Sequence, residues 1–487
     1  MITPAEELGL SGLALSGRVR RAFHALPDSE VIALVRRIRE ESVRRNLVYL
    51  RDGVGEPIRV LPCPLTVLPD QVSYIQYTSL TILNALKRLP EIYVEDAEAR
   101  DLLRLGPDEE AWFRECWSVS HRENNPVFGR LDAMVDYTDP MWKDSLLFVE
   151  PNLGGVGGLQ LTPICDRICA DIVLPALFSV DGQLQLELAH DVRELLMQEM
   201  LDHLEAIGRT SRNIAFVEPK YAGSGPDEQE ALARYYHDRF GTKVLHADPA
   251  ELTIDDGEVI YNGVVVDLAY RDYEVRDLLA LGAKGGDIEP MRLLFRQNRV
   301  VSSITADFDQ KSSFELLTDP RFAQRHFSAE ERQVFRRHIL WTRLVSERAT
   351  LLPDGQIGDL MEYARREHES LVLKPNRDYG GTGVLIGPSM TRAEWETALE
   401  RALGDDRRWV VQRVARIPVN EFPVVADGRV HAEPFYTVMG FTPSKYGLAI
   451  LGRASQKQVV NVSQRGGLCS VFVGRPPAPL AGPGPHY

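Results

Sequence analysis

Two groups of residues, far apart in the chain, have the types and spacing to handle phosphate. The first lies in "LVLKPNRDYGGTGV", residues 371–384. An apolar run that reads as a strand ends in Lys374, and a loop with Gly380, Gly381 and Gly383 follows before apolar residues resume. Glycines let backbone N–H groups approach phosphate oxygens closely, and the lysine adds a point charge. The same pattern also makes an ordinary hairpin turn. It is no Walker loop, because Gly-Lys-Ser/Thr is missing at the required spacing, and its glycine pattern is not that of a dinucleotide fingerprint.

The second group is Arg130-Leu131-Asp132 with Glu150-Pro151-Asn152. Alternation along a strand puts Arg130 and Asp132 on one face, and Glu150 and Asn152 likewise. Three hard oxygen donors on one surface suit Mg²⁺, and Arg130 can reach the phosphates that such an ion accompanies. A solvated acidic strand edge with an ion pair would look similar.

The surrounding pattern supplies elements to hold these groups. Residues 126–158 read as two strands joined by a polar loop and closed by a glycine-rich turn. From Asn213 to about Thr305 the texture is α/β: strands at "IAFVEP" and "KVLHAD", an amphipathic helix ended by Gly241, and a hairpin about Asn262-Gly263. Helices are expected over about 308–350 and over 391–403, then strands to about 474. The first hundred residues read as mostly helical, with Asp28 and Ser29 as candidate caps and a proline-broken extended stretch at "IRVLPCPLTVLP". The tail "RPPAPLAGPGPHY" is expected to be poorly ordered.

Composition excludes some function classes. At 487 residues the chain suits two to four domains, and 44% hydrophobic with 26% charged residues marks a globular protein. A formal net charge of -14 argues against a general nucleic-acid binder. The odd number of scattered cysteines, five in all, argues for a reducing compartment. Cys165 and Cys169 share a helical face and read as small buried side chains rather than half a zinc site. The start "MITPAEELGL" does not read as a signal peptide, and no apolar run is long enough to span a membrane, so a cytoplasmic location is expected.

Taken together, "VLKPNRDYGGTGV", "WVVQRVARIPVNEFPV", "RLD" and "EPN" resemble the ATP-grasp superfamily. The metal motif comes first and the lysine loop last, the order of the circularly permuted, glutathionylspermidine-synthetase-like group. "AYRDYE", "LWTRLVSERATLL" and "GRASQKQVVNVSQRGG" also fit that group. The resemblance implies an α+β fold with an α/β subdomain, with nucleotide between two α+β lobes. It divides the chain into a mainly helical region 1–115, metal-binding strands 116–190, an α/β domain 191–330, a Lys/Gly-loop lobe 331–405, hinge and remaining strands 406–474, and the tail 475–487.

The resemblance also assigns roles. Lys374, Gly380, Gly381 and Gly383 would hold the ATP phosphates, and Gln412, Arg413 and Val414 would form the adenine hinge. Glu421 would meet the ribose, and Asp132, Glu150 and Asn152 would bind Mg²⁺. Arg130 would stabilise the transferring phosphoryl group, with Arg453 and Asn461 contacting phosphate or substrate. The second phosphate-binding cation would be Arg343, with Lys311 in "DFDQKSS" as the alternative. The implied reaction joins a small-molecule or peptide carboxylate to an amine through an acyl phosphate, with release of ADP and phosphate. A small-molecule phosphotransferase and a non-catalytic nucleotide-binding partner protein are the alternatives. Neither nucleic acid nor membrane is an expected partner.

Overall fold

The computed structural model describes residues 4–221, 225–226, 228–378, 380–463 and 465–475, without the side chains of 4–11 and 225–226. All of the tail but Arg475 thus lies outside the described residues. The fold is mixed α+β, and three of its sheets build the site.

The largest sheet is antiparallel. Its strand order is Gly467–Leu468, Gly447–Ser455, Arg429–Ser444, Arg130–Met134 and Leu147–Asn152, with Val419–Ala426 paired onto Arg429–Ser444. A strand from the early part of the chain therefore sits between two far-separated segments. Leu131 pairs with Phe441 and Asp132 with Gly440, which fixes the register between them. Phe441 is fully buried and meets Phe148 edge to face at 6.3 Å.

A second antiparallel sheet has the order Thr342–Leu344, Trp409–Arg413, Leu371–Pro375 and Leu385–Ile386. Its two faces differ because strand side chains alternate. Leu371, Leu373, Trp409 and Val411 pack on helices Leu360–Arg366 and Arg392–Gly404 around Trp395. Val372, Lys374 and Gln412 line the cleft between this sheet and the first.

The third sheet is parallel, ordered Val300–Val301, Leu268–Arg271, Ile214–Val217 and Val244–Ala247. Helices Val192–Ala206 and Gln229–Phe240 share the buried cluster of one face. Gly241 ends the second helix at φ 63°, the left-handed conformation that glycine adopts without strain.

Two local expectations needed correction. Helix Asp28–Arg44 starts at Asp28 itself, after an extended Pro27 and without a side-chain cap. The stretch near 308–350 splits into short helices Ser313–Thr318, Pro320–His326 and Ala329–His338 before strands Thr342–Leu344 and Ala349–Leu351. The N-terminal region is mostly helical, as expected, with strand Leu65–Val67 inside the expected extended stretch and paired with Val471–Gly474; it also contains a hairpin, Val48–Arg51 with Val54–Pro57. Cys165 and Cys169 are buried on helix Leu161–Val180 and are free thiols, like the other three cysteines.

Phe441→Ala should remove the ring at the centre of the large sheet and leave a cavity, at a cost of about 3–5 kcal/mol. Urea unfolding measures this directly; a loss below about 1 kcal/mol would show that the sheet does not depend on that contact.

Candidate functional site

The metal-motif residues meet because of strand register. Arg130 pairs with Asn152 and Asp132 with Glu150, so all four side chains share one face of the large sheet. Arg453, opposite Val438 in the register, points the same way. Asp132 is 3% exposed and is held between two guanidinium groups, Arg130 Nε at 2.8 Å and Arg453 Nη2 at 2.9 Å. Burial works against its charge, but the two arginines outweigh burial and hold the carboxyl at about 2. Arg130 also donates to the Gly157 carbonyl at 2.7 Å. A glycine is needed at 440, since a Cβ there would lie 2.5 Å from Arg130 Cδ. Arg453 is 5% exposed, and its Nε and Nη2 find no hydrogen-bond acceptor among the described residues. The contact to Asp132 is therefore an ion pair without good hydrogen-bond geometry, and the guanidinium has donors to spare for an anion.

Lys374 approaches this group from the second sheet. Burial lowers its pKa, Glu150 and Asp132 act to raise it, and Lys311 lowers it further. Lys311 Nζ donates to the Asp378 carbonyl at 2.8 Å and lies 3.6 Å from Glu150 Oε2. Its backbone is tied to the root of the glycine loop: Lys311 N donates to Asn376 O at 3.0 Å, and Ser312 N to Asn376 Oδ1 at 2.8 Å. Arg377, next along, is held by Glu109 and Glu274. Glu109, Glu274 and Asp307 lie close enough to suggest a metal cluster, but Arg377 and Arg271 already neutralise them.

Gly380, Gly381 and Gly383 adopt φ of 71°, 75° and 74°, a region that side chains disfavour. The Gly380 carbonyl accepts from Ser463 Oγ at 3.2 Å, and a Cβ on Gly381 would come within 2.7 Å of Val459. Asn461 lines the cleft beside this contact. At the hinge, Gln412 turns its amide inward to Val149 O and Thr342 Oγ1 at 2.8 and 2.7 Å. The N–H groups of Arg413 and Val414 are already used, by Trp341 O and Ser370 O. The backbone N–H groups of Ala415, Arg416 and Ile417 have no partner among the described residues, and these residues line the cleft. The free backbone N–H groups along this edge thus begin one residue after Val414. Glu421 is exposed on the same strand face as Val419, the partner of Tyr436, and is not among the cleft-lining residues.

Arg343 is not in the cleft. It pairs with Val411, whose side chain faces the helices, so Arg343 points away from Lys374. It is fully buried and donates to Thr350 Oγ1, Thr318 Oγ1 and the Thr342 and Leu351 carbonyls. The basic side chain placed near Lys374 and Glu150 is Lys311, the alternative named from the sequence.

Two connected cavities result. One of about 380 Å³ lies between Lys374, Gly381, the hinge and Arg453; the other, about 430 Å³, runs from Arg130 and Lys311 toward Gly154–Gly158, Asp272 and Asp277. Asp132, Glu150, Arg453 and Asn461 line both. A third, about 480 Å³, opens past Gly155 and Asp272 beyond the carboxyl ends of the parallel strands, where open α/β sheets bind ligands. Sequence reasoning missed the Gly154–Gly158 wall, Asp272 and Tyr49 of the N-terminal hairpin. Asp52-Gly53 between two β-rich runs was the available signal for that hairpin. As a donor set, Glu150 and Asn152 present oxygens beside Asp132, and hard oxygen donors suit Mg²⁺.

Glu228 lines the third cavity. Its carboxylate, 3% exposed, accepts from Gln160 N and Leu161 N at 2.9 Å, capping helix Leu161–Val180. Burial pushes its pKa up to about 7, against those two amides. The folded protein thus keeps a proton that the unfolded chain loses above its ordinary carboxylate range. This contribution to stability is full below about pH 4 and is lost as pH rises through about 7. Between pH 5 and 7 the stability of Glu228→Gln should fall less steeply than wild type, by up to about 1.4 kcal/mol per pH unit; identical slopes would contradict the assignment. Arg343→Ala should cost on the order of 3 kcal/mol by stranding its buried acceptors, which urea unfolding measures; a loss below about 1 kcal/mol would show that those hydrogen bonds are not needed.

Comparison with known proteins gives a fold and a distant relative. No family model matches the chain. A glutathione-synthetase-like effector from Globodera pallida, solved in its apo form, aligns with a TM-score of 0.61 at 13% identity, covering 92% of this chain and 98% of that one. In sequence, the chain is 25% identical over 348 residues to a candidate glutamate–cysteine ligase 2-2 of Frankia casuarinae. That match takes in 68% of this chain but only 37% of the relative's length. No helix among the described residues is long and apolar enough to cross a membrane. The chain therefore has the mixed α+β fold of a glutathione-synthetase-like protein.

Proposed function

We propose that this chain is an ATP- and Mg²⁺-dependent ligase of permuted ATP-grasp type that joins a carboxylate to an amine. The observation that carries the reading is one convergence. Lys374 and the glycine loop from one sheet, Lys311 from the segment between, and Arg130, Asp132, Glu150, Asn152 and Arg453 from another all line a single two-chambered cleft. The fold of the effector protein and the name of the Frankia relative agree with this class.

On this reading the adenine enters the chamber under Gln412 and meets the open backbone of Ala415–Ile417, while Lys374 and the glycine loop hold the phosphates. Glu150 and Asn152, with Asp132, would hold Mg²⁺, which neutralises charge on the phosphate chain. The substrate carboxylate enters the second chamber and attacks the terminal phosphate in line, giving an acyl phosphate and ADP. Arg453 and Arg130 stabilise the transferring group, and Lys311 offsets charge on its far side. The amine then attacks the acyl carbon, the C–O bond to phosphate breaks, and the proton the amine loses leaves with phosphate or to solvent. The glycine loop keeps water from the acyl phosphate. Arg130 and Arg453 also keep Asp132 ionised, so it takes no proton from the amine.

The test is a screen for ADP and phosphate release over carboxylates and amines, starting with L-glutamate and L-cysteine. With an ¹⁸O-labelled carboxylate, one label should appear in the released phosphate for each bond formed. Turnover that yields ADP with no free phosphate would favour a phosphotransferase instead. Lys311→Ala should lower kcat/KM by about a hundredfold or more; a loss below about threefold would remove Lys311 from the phosphate site.

A further inference from the structure

The hairpin Val48–Pro57 comes from the region to which the sequence assigned no function, yet it reaches the cleft. Tyr49 lines the chamber beside Arg130, and Leu50 lines the cavity beyond it. A two-stranded hairpin is marginal alone, so what it docks on decides where it stands. Its turn at Asp52-Gly53 has φ of 49° and 78°, the tight primed type. Its root is pinned where Ile58 N donates to Leu47 O at 3.0 Å and Leu61 N to Leu468 O at 2.9 Å. The other edge of Val48–Arg51 pairs with Gly225–Pro226.

Arg51 makes the connection to the glycine loop. Its Nε donates to Glu56 Oε2 at 2.7 Å, its Nη1 to Ser463 O at 2.7 Å and its Nη2 to Val462 O at 3.0 Å. Its guanidinium lies over the Tyr49 ring at 4.6 Å from the centroid and so orients it. Ser463 in turn donates through Oγ to the Gly380 carbonyl of the loop at 3.2 Å. Tyr49, Arg51, Ser463 and Gly380 thus form an unbroken chain of contacts from the substrate chamber to the phosphate loop.

We propose that this hairpin is a second cover of the reaction chamber, latched by Arg51 to the segment that backs the glycine loop, with Tyr49 as a specificity-determining wall for the substrate that meets the nucleotide. The proposal rests on the nucleotide reading of the cleft. When the glycine loop settles on phosphate, Ser463 and Val462 are fixed, and Arg51 carries that order to the hairpin. The chamber then closes on the substrate side only when nucleotide is present, which shields the reacting carboxylate from water.

Hydrogen–deuterium exchange on the full chain, with and without saturating Mg²⁺ and a non-hydrolysable ATP analogue, tests it. In wild type, the analogue should slow exchange about tenfold or more both in the loop, 378–384, and in the hairpin, 48–57. In Arg51→Ala the loop effect should persist, while the hairpin effect falls below about twofold. Arg51→Lys, which keeps one donor for Ser463 or Val462, should fall between. Unchanged exchange in helix Asp28–Arg44 shows that the variants are folded. A protected loop with an indifferent hairpin in wild type overturns the latch alone, as does full hairpin protection in Arg51→Ala. A wild-type loop that the analogue leaves unprotected overturns the nucleotide reading, and the latch with it.

Discussion

Asp132 is a buried negative charge, and the site depends on how it is neutralised. A carboxylate at 3% exposure stays ionised only with partners, and it has two, Arg130 from its own strand and Arg453 from two strands away. That demand fixes the register of three strands. Gly440, between them, is small enough for Arg130 to lie across the sheet. The same register turns Glu150 and Asn152 to the cleft. Arg453 is drawn in by Asp132 yet left with unsatisfied donors, so the charge that organises the sheet also prepares a site for an anion.

The second sheet answers with Lys374, and its alternation decides what can join it. Thr342 and Gln412 face the cleft, while Arg343 and Val411 face the helices. Lys311 reaches the site by another route, on a segment knitted to the loop root through Asn376. The positive charges of the cleft therefore come from separate parts of the chain. On the proposed reading such a cleft is preorganised, as stabilising moving charge requires.

Much of this was legible in the sequence where a pattern is local. Alternation in "RLD" and "EPN" gave the shared face, and the glycines after Lys374 gave a loop whose φ values only glycine adopts freely. The Asn262-Gly263 turn and the Gly241 helix end needed only neighbouring residues. Other features depend on pairing between distant segments. Strand Thr342–Leu344 has three residues, and a slip of one exchanges its faces, so Arg343 and Lys311 could not be ranked by position. The approach of Arg453 to Asp132 follows from a sheet register that no local pattern records. Asp52-Gly53 was a readable turn, but its docking against Ser463 was not.

The central claim is that this cleft binds nucleotide through Lys374 and the carboxylates facing it. Thermal unfolding with and without Mg·ATP measures that directly, since a ligand that binds the folded state raises the melting temperature by an amount that grows with the logarithm of its concentration over its dissociation constant. The account predicts a rise of several degrees in wild type, most of which is lost in Lys374→Ala and in Glu150→Ala. An equal rise in all three proteins, or none in wild type, would contradict it.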